Sequence, residues 1–236
     1  NADNTFWLTA TNYTDYLPQL AKAFATRQFM VQPFMESVIN EGEYSLFYFD
    51  GKYSHAILKT PKQDDFRVQE EHGGRLKTVE PEPELIRQAE IALRAIDSMP
   101  LYARVDFVRH GSSFALMEAE LIEPSLYFNM DAASPKRFAQ AFARGKFRTK
   151  KWGKIRIVRE LKQRSISAHT IKRALKEISE TEYINTFHEL AEKRLAQLVG
   201  EKNSQKKKKK FADYLLYRGW ESSLVWEKVR EVTSSC

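Results

Sequence analysis

Apolar, β-branched and aromatic runs alternate with polar turns in the first part of the chain and predict an antiparallel sheet. One hairpin is predicted over residues 45–59, turning at Asp50-Gly51, because that dipeptide suits a tight turn. A second hairpin is predicted over residues 101–122, and residues 31–35 predict a further strand. Apolar positions at helical spacing predict a helix over residues 82–97. These elements together predict an α+β fold for this part.

Beyond residue 143 the strand pattern ends and helical periodicity replaces it. Serine precedes two of the segments as an expected N-cap, and glycine follows two others as an expected stop. This part is therefore predicted to be all-α, with helices at 153–164, 168–178, 180–199, 206–217 and 222–232.

The helical part contains an internal repeat with an offset of 54 residues. Residues 156–178 align with residues 210–232, and the paired apolar positions match the core face of a helix-turn-helix unit. The long helix 180–199 connects the two copies, which predicts tandem three-helix modules. The aligned pairs are Ile157 with Phe211, Leu161 with Leu215, Arg164 with Arg218, Ile166 with Trp220, Ile171 with Val225, Leu175 with Val229 and Ile178 with Val232.

Composition narrows the class of protein. The 236 residues are 42% apolar, which is enough to fill cores, and no apolar run approaches the ~20 residues of a membrane-spanning helix. A secretory signal pattern is absent, and the single cysteine, Cys236, cannot close a disulfide within the chain. We therefore expect a protein of the reducing cytoplasm. The first residue is Asn1 rather than Met, which is typical of a fragment or a trimmed chain.

Charge divides the chain into two parts. Residues 1–143 carry 14 basic and 20 acidic side chains, a net charge of −6, whereas residues 144–236 carry 24 and 11, a net charge of +13. We predict two domains with these boundaries. A charge of +13 favours a polyanion such as nucleic acid, or an acidic protein surface, as the partner.

Three carboxylates fall on the strands of the second hairpin. Arg104 and Asp106 share one face of the first strand, and Glu118 and Glu120 share one face of the second. If the loop has an odd number of residues, Asp106 lies opposite Glu118 and Arg104 lies opposite Glu120. Crowded carboxylates would suit Mg²⁺ held jointly with phosphates. The alternative is a solvated sheet face with Arg–Glu pairs.

Residues 29–138 resemble the C-terminal half of an ATP-grasp domain, of the kind found in glutathione synthetases and RimK-like carboxylate–amine ligases. The segments that carry the resemblance are MVQPFME (30–36), EGEYSLFYFDGKYSHAILK (41–59), DDFRVQEEHGG (64–74), RVDF (104–107) and MEAELIEPSLYF (117–128).

The resemblance implies a site for Mg²⁺ and ATP. It implies Mg²⁺ ligands at Asp106, Glu118 and Glu120, with Glu120 standing where the family usually has Asn. It also implies nucleotide contacts at Gln32, Pro33, Lys59, Arg67 and Arg104. The subdomain that closes over ATP in this family is expected to precede residue 1. We therefore expect this half to catalyse nothing unaided.

Residues 137–236 resemble the RecX family, bacterial regulators of the RecA recombinase. The segments GKFRTKKWGKIRIVRELKQRSISAHTIKRALKEI (145–178) and KFADYLLYRGWESSLVWEKV (210–229) carry this resemblance. They correspond to the second and third three-helix modules of the family. The first module is expected to be missing.

This second resemblance implies noncovalent inhibition of RecA filaments on DNA, with no cofactor. Contacts to phosphate or to acidic protein are expected rather than base readout. The lysine run 206–210 is expected to be a solvated helix start or a flexible loop with nonspecific electrostatic attraction. The implied DNA or RecA contacts are Arg148, Lys150, Lys151, Lys154, Arg156, Arg159, Lys162 and Arg164.

Other residues have conservative interpretations. Trp152 and Trp220 are expected to pack the turns between helices, with base stacking as the alternative. His55, His72 and His110 are expected to be turn or surface residues rather than metal ligands.

Two classes of function remain. The first is a RecX-like modulator of recombination and DNA repair that carries an ATP-grasp remnant. The alternative is a nucleotide- and Mg²⁺-binding fragment of an ATP-grasp carboxylate–amine ligase. Both resemblances include residues 134–142, so we interpret the chain as a chimera. A natural fusion, a deletion between neighbouring genes and an assembly artefact all remain open.

Overall fold

A five-stranded antiparallel sheet forms in the first part of the chain. The computed structural model describes residues 5–63 and 65–234, and it confirms the predicted α+β part followed by an all-α part. The sheet order is β3-β2-β1-β4-β5. The strands are β1 (Glu43–Phe49), β2 (Lys52–Thr60), β3 (Arg75–Thr78), β4 (Tyr102–His110) and β5 (Ser113–Glu120).

Helices flank the strands and then occupy the chain from residue 134 onwards. The first three are α1 (Tyr13–Phe24), α2 (Ser37–Asn40) and α3 (Pro83–Arg94). The following six are α4 (Ser134–Lys150), α5 (Lys154–Gln163), α6 (Ala168–Leu175), α7 (Glu180–Gln197), α8 (Ser204–Tyr217) and α9 (Ser222–Ser234). None of the described helices combines the length and the apolar character that crossing a membrane requires.

Several elements differ from the sequence predictions. The sequence did not predict α1, β3 or α4. The strand predicted over residues 31–35 was wrong, because this segment is irregular and Pro33 has no backbone N–H to donate to a neighbouring strand. Cys236 lies outside the described residues.

The chain divides into two compact units, each assembled from several segments. The first unit comprises residues 1–45, 56–89 and 106–118. The second unit comprises residues 46–55, 90–105 and 119–236. The domain boundary predicted after Ala143 falls inside α4 and stays a prediction.

The first unit has a small apolar core. Val38, Val68 and Val108 are buried together, with Met35 and Met117 packed against them. These side chains come from α2 and the segment just before it, the loop after β2, and strands β4 and β5, so burial of apolar area links elements that are distant in sequence.

The second unit buries α4 against part of the sheet. Phe138 on α4 lies 5.4 Å from Phe49 and 5.8 Å from Tyr102, measured between ring centroids. Gly145 lies in the middle of α4, where glycine normally disfavours a helix. A Cβ at this position would lie 2.2 Å from Cδ1 of Leu101, so the close packing of α4 requires the glycine.

The helical repeat is confirmed by burial and by hydrogen bonding. In four of the seven aligned pairs both members are buried, and in two further pairs one member is buried while the other, Leu175 or Val232, is partly exposed. The buried members line the core of the modules. The turn after the first helix of each copy has a residue in the left-handed conformation at the same aligned position, Ser165 with φ 57° and Gly219 with φ 84°. The matching bonds run from Ile166 N to Leu161 O at 3.1 Å and from Trp220 N to Leu215 O at 3.2 Å. Both turns are therefore Schellman motifs.

Candidate functional site

The cations that were predicted to contact DNA or RecA lie on α4, in the turn after it, on α5, and at Arg164 directly after α5. Four of these cations are exposed and available to a phosphate or a carboxylate partner: Arg148, Lys150, Arg159 and Lys162. The other four are partly covered by neighbouring side chains.

Arg156 is held between two aromatic rings. Its guanidinium carbon lies 4.1 Å from the Trp152 ring centroid and 4.8 Å from the Tyr217 ring centroid. One of its terminal nitrogens also donates to the Tyr217 carbonyl at 3.2 Å. Cation–π contacts of this kind stabilise a fixed guanidinium. Arg156 therefore joins α5 to the end of α8.

Two other predicted contact residues are engaged within the helical part. Lys154 Nζ donates to Glu180 at 2.7 Å and lies 4.1 Å from the Tyr183 ring centroid. Arg164 donates to the Glu160 carbonyl at 3.0 Å. Lys151 takes the left-handed conformation that ends α4, with φ 52°. The side chains of Lys154 and Arg164 therefore have structural roles, and the backbone of Lys151 ends α4.

The two three-helix modules meet end to end. The backbone N–H of Gly153 donates to the Arg218 carbonyl at 2.9 Å, and that of Ile155 donates to the Gly219 carbonyl at 3.1 Å. The start of α5 therefore satisfies its unpaired N–H groups with carbonyls at the end of α8. The Arg218 side chain donates to the Lys150 carbonyl. The α4–α5 and α8–α9 turns thus lie side by side.

Buried aromatic side chains support this junction. Tyr183 O–H donates to Glu221 at 2.6 Å and accepts from Lys154 N at 2.9 Å, and burial raises the pKa of Tyr183. Trp220 is 1% exposed and lies 4.5 Å from Tyr183. The packing role of Trp220 is confirmed, and a ring this buried cannot stack on a base. Trp152 is half-buried beside Arg156.

Two residues of this surface were missed by the sequence analysis. Tyr217 is 72% exposed, and its ring touches Arg156. Arg218 lies 4.7 Å from the Tyr214 ring centroid. The repeat carried a signal for Arg218, since it aligns with Arg164, which was included in the predicted contact set.

The cations also affect one another. Burial lowers the pKa of Lys146, and the nearby positive charges of Arg164 and Lys150 lower it further. An anion bound beside Lys146 would relieve the repulsion between these positive charges.

The lysine run begins a helix. Residues 206–210 lie in the first half of α8, where Asn203 caps the helix by accepting from Lys206 N at 2.9 Å. Lys210 pairs with Glu201 at 2.6 Å, and Lys209 lies 3.8 Å from Asp213. The expected helix start is confirmed, and the flexible loop was wrong.

A buried ion pair occupies the predicted Mg²⁺ and phosphate positions of the first unit. Lys59 Nζ donates to Glu43 at 2.7 Å and to Asp106 at 3.1 Å. Lys59 is 5% exposed and Asp106 is 1% exposed. A buried carboxylate needs such a partner, because desolvation disfavours its charge. Glu118 is exposed.

Arg104 and Glu120 form an ion pair at 2.6 Å in the second unit. Only Gly111 and Ser112 separate β4 from β5, so the odd-length loop that would place Asp106 opposite Glu118 is not formed. Among the residues that the structure describes, no three carboxylate, histidine or cysteine side chains group closely enough to hold a metal ion. The three carboxylates therefore form no ligand group as arranged, and the Mg²⁺ site stays a prediction.

The other implied nucleotide contacts lie in separate surroundings. Gln32 and Pro33 are exposed in the irregular segment before α2. Arg67 pairs with Asp65 through two hydrogen bonds of 2.8 and 3.0 Å, which hold the pKa of that carboxyl well below its usual range. The contribution of these residues to nucleotide binding stays a prediction.

His55 was predicted to be a turn or surface residue, and this was wrong. It is 3% exposed and stacks on Phe47, with 4.2 Å between ring centroids. Its Nε2 donates to the Leu126 carbonyl at 3.2 Å, and its Nδ1 lies 3.0 Å from the Ser54 hydroxyl, which accepts from Arg137. Burial lowers its pKa to about 4. His72 is partly exposed and His110 is exposed.

Comparison with known proteins identifies the helical part. Residues 136–175 match the family model of the second three-helix domain of RecX, and residues 180–229 match that of the third. Residues 136–229 therefore carry RecX three-helix domains. The cationic surface and the junction described above belong to these RecX domains, and the predicted resemblance is confirmed.

The part before the RecX domains resembles ATP-grasp ligases, as predicted. The cycloserine biosynthesis protein DcsG of Streptomyces lavendulae is 35% identical over 126 residues, which cover 48% of this chain. This chain spans 41% of that protein's length.

Solved structures are also similar to this part of the chain, among them the following two. A crystal structure of D-cycloserine synthetase DcsG is 34% identical over 47% of this chain and 40% of its own, with a TM-score of 0.41. A crystal structure of D-alanine–D-alanine ligase from Bacillus anthracis complexed with ATP is 17% identical, and the match covers 54% of this chain and 43% of the ligase, with a TM-score of 0.35.

Proposed function

We propose that this chain is a RecX-like regulatory protein that inhibits RecA filaments on DNA by noncovalent binding. The observation that supports the proposal is the match of two consecutive segments to the second and third RecX domains. The chemistry agrees, because residues 144–236 carry a net charge of +13 and suit the phosphates of DNA or an acidic protein surface. The proposal needs no cofactor and places the protein in the cytoplasm.

The binding surface is centred on the exposed cations of α4 and α5. Arg159 and Lys162 lie three residues apart, so they project from the same side of α5. Two exposed charges beside each other attract a polyanion without needing a shaped pocket.

The test is the DNA-stimulated ATPase of RecA, titrated with the full chain. We expect inhibition that weakens as salt is raised. The double variant Arg159→Gln/Lys162→Gln should need about fivefold more protein for the same inhibition, since each exposed ion contact contributes about 0.5 kcal/mol.

The matched control removes the same charge from another exposed place, with Lys172→Gln/Lys176→Gln at α6. The control should inhibit like the unchanged chain. Absence of inhibition by the full chain would contradict the proposal. An equal loss in both double variants would show that net charge, and not the α5 surface, is responsible.

A second candidate is supported by the 35% identity to the cycloserine biosynthesis protein. In this alternative the first part binds ATP and Mg²⁺ as a fragment of an ATP-grasp carboxylate–amine ligase. Titration calorimetry with ATP and Mg²⁺ tests it, because Glu118→Ala should abolish Mg²⁺-dependent binding whereas Glu90→Ala on α3 should not. Undetectable binding by the unchanged chain would reject this candidate.

A further inference from the structure

Tyr217 presents an exposed ring that is fixed from behind. It is the last residue of α8 and is 72% exposed. The guanidinium of Arg156 lies 4.8 Å from its ring centroid and donates to its carbonyl at 3.2 Å. Arg156 is in turn stacked on Trp152 at 4.1 Å. We call the stack of Trp152, Arg156 and Tyr217 the Tyr217 platform.

Cations border the platform on the side of the α4–α5 turn. Arg218, the next residue along the chain, donates to the Lys150 carbonyl, which brings the backbone of Lys150 and Lys151 close to the end of α8. Lys150 is exposed and Lys151 is half-exposed. The carboxylate of Glu160 lies 4.0 Å from Arg156 Nε. The platform thus combines an aromatic face with positive charges.

This combination discriminates between polyanions. Cations alone would attract duplex DNA, single strands and acidic proteins alike. An exposed aromatic ring adds attraction only for a partner with a free π face, and unpaired bases have one, whereas the bases of a duplex are already stacked. Guanidinium behind the ring holds it in place, so little side-chain entropy is lost when a base binds.

We propose that the Tyr217 platform binds single-stranded nucleic acid, with an unpaired base stacked on Tyr217 and phosphates contacted by Lys150, Lys151 and Arg218. Both three-helix modules contribute, since Trp152 and Arg156 belong to the second RecX domain and Tyr217 belongs to the third. The inference deepens the proposed function and rests on it for bringing the chain to DNA.

Fluorescence anisotropy tests the proposal with the full chain, a labelled oligothymidylate and a duplex of equal length, without RecA. Tyr217→Ala should weaken single-strand binding about five- to tenfold and leave duplex binding unchanged, because a stacked base contributes at least about 1 kcal/mol. Tyr217→Phe should bind like the unchanged chain. Trp226→Ala, which removes another exposed ring on α9, should also have no effect.

Tyr217→Leu separates stacking from apolar bulk and guards against a folding defect in the alanine variant. Single-strand binding by Tyr217→Leu that equals that of the unchanged chain would overturn the proposal. So would an equal loss on single strands and duplex, or no binding to the single strand. RecA inhibition is measured on the same proteins. If the unchanged chain inhibits RecA but Tyr217→Ala binds the single strand normally, the proposed function stands and the platform proposal is rejected. If Tyr217→Ala loses single-strand binding but the unchanged chain does not inhibit RecA, the platform proposal stands and the proposed function is rejected.

Discussion

Replacing Gly153 by alanine tests the contact between the two three-helix modules. Gly153 has φ −73° and ψ 163°, which any L-residue adopts without strain. Its added Cβ would lie 2.2 Å from the Gly219 carbonyl oxygen and 2.4 Å from the carbonyl carbon. Because the backbone conformation is permissive, any loss of stability comes from this contact.

The size of the loss follows from the geometry. The carbonyl must move by about 1 Å to restore an ordinary contact. That movement stretches the bonds from Gly153 N to Arg218 O at 2.9 Å and from Ile155 N to Gly219 O at 3.1 Å. Overpacking costs about 1–3 kcal/mol and each weakened bond up to about 1 kcal/mol. Alanine restricts the unfolded chain and returns about 0.4–1 kcal/mol. We expect a net loss of about 2 kcal/mol.

Urea unfolding followed by tryptophan fluorescence measures the change, since Trp152 and Trp220 flank the contact. In a heat scan the same loss corresponds to a midpoint lower by about 4–8 °C. Gly200→Ala is the matched control, because nothing lies within 4 Å of its added Cβ. The control should be neutral or slightly stabilised. If Gly153→Ala is as stable as Gly200→Ala, the modules do not meet as described.

Three further predictions concern other strained or buried groups. Ser165→Gly should raise the free energy of unfolding by about 1 kcal/mol, because serine is strained at φ 57°, and a loss in the same urea titration would contradict this. The free energy of unfolding should fall by up to about 3 kcal/mol as the pH falls from about 6.5 toward 4. Burial lowers the pKa of His55 in the folded chain to about 4, whereas His55 in the unfolded chain takes up a proton near pH 6.5. An NMR titration of His55 with its midpoint near 6.5 would refute the cause. Lys59→Met should lower the free energy of unfolding by about 3–5 kcal/mol in denaturant unfolding, because it removes a buried cation from the carboxylates of Glu43 and Asp106. Lys59→Met/Asp106→Asn should recover part of this loss, and an unchanged stability of Lys59→Met would contradict the reasoning.

Local signals in the sequence predicted most of the helical part. The side chain of Ser167, which was an expected N-cap, accepts a bond from the backbone N–H of Thr170 in the first turn of α6. The 54-residue repeat predicted the buried faces because helical spacing fixes which residues share a side. Both families were also recognisable from contiguous motifs, which are properties of the sequence.

The sequence predicted less where non-local contacts decide. It placed no helix over α4, because Gly145 weakens the helical pattern. The glycine is needed because a Cβ at this position would overlap the Leu101 side chain, which comes from a distant part of the sequence. It placed His55 at the surface, although Phe47 and Leu126 enclose it. At Arg104, the Arg–Glu pair offered as the alternative to a metal site is the contact that forms with Glu120.

For the candidate interface, the sequence by itself determined the number of positive charges, their density along residues 148–164, and the helix over residues 153–164 that carries most of them. Tertiary structure decided which of these cations remain exposed. Arg156 is stacked between rings contributed by positions 152 and 217, whereas Arg159, three residues further along α5, reaches solvent. The physical reason is that a side chain's exposure depends on the neighbours that packing brings to it. Tyr217, one of the two rings beside Arg156, lies 61 residues away from it in the chain.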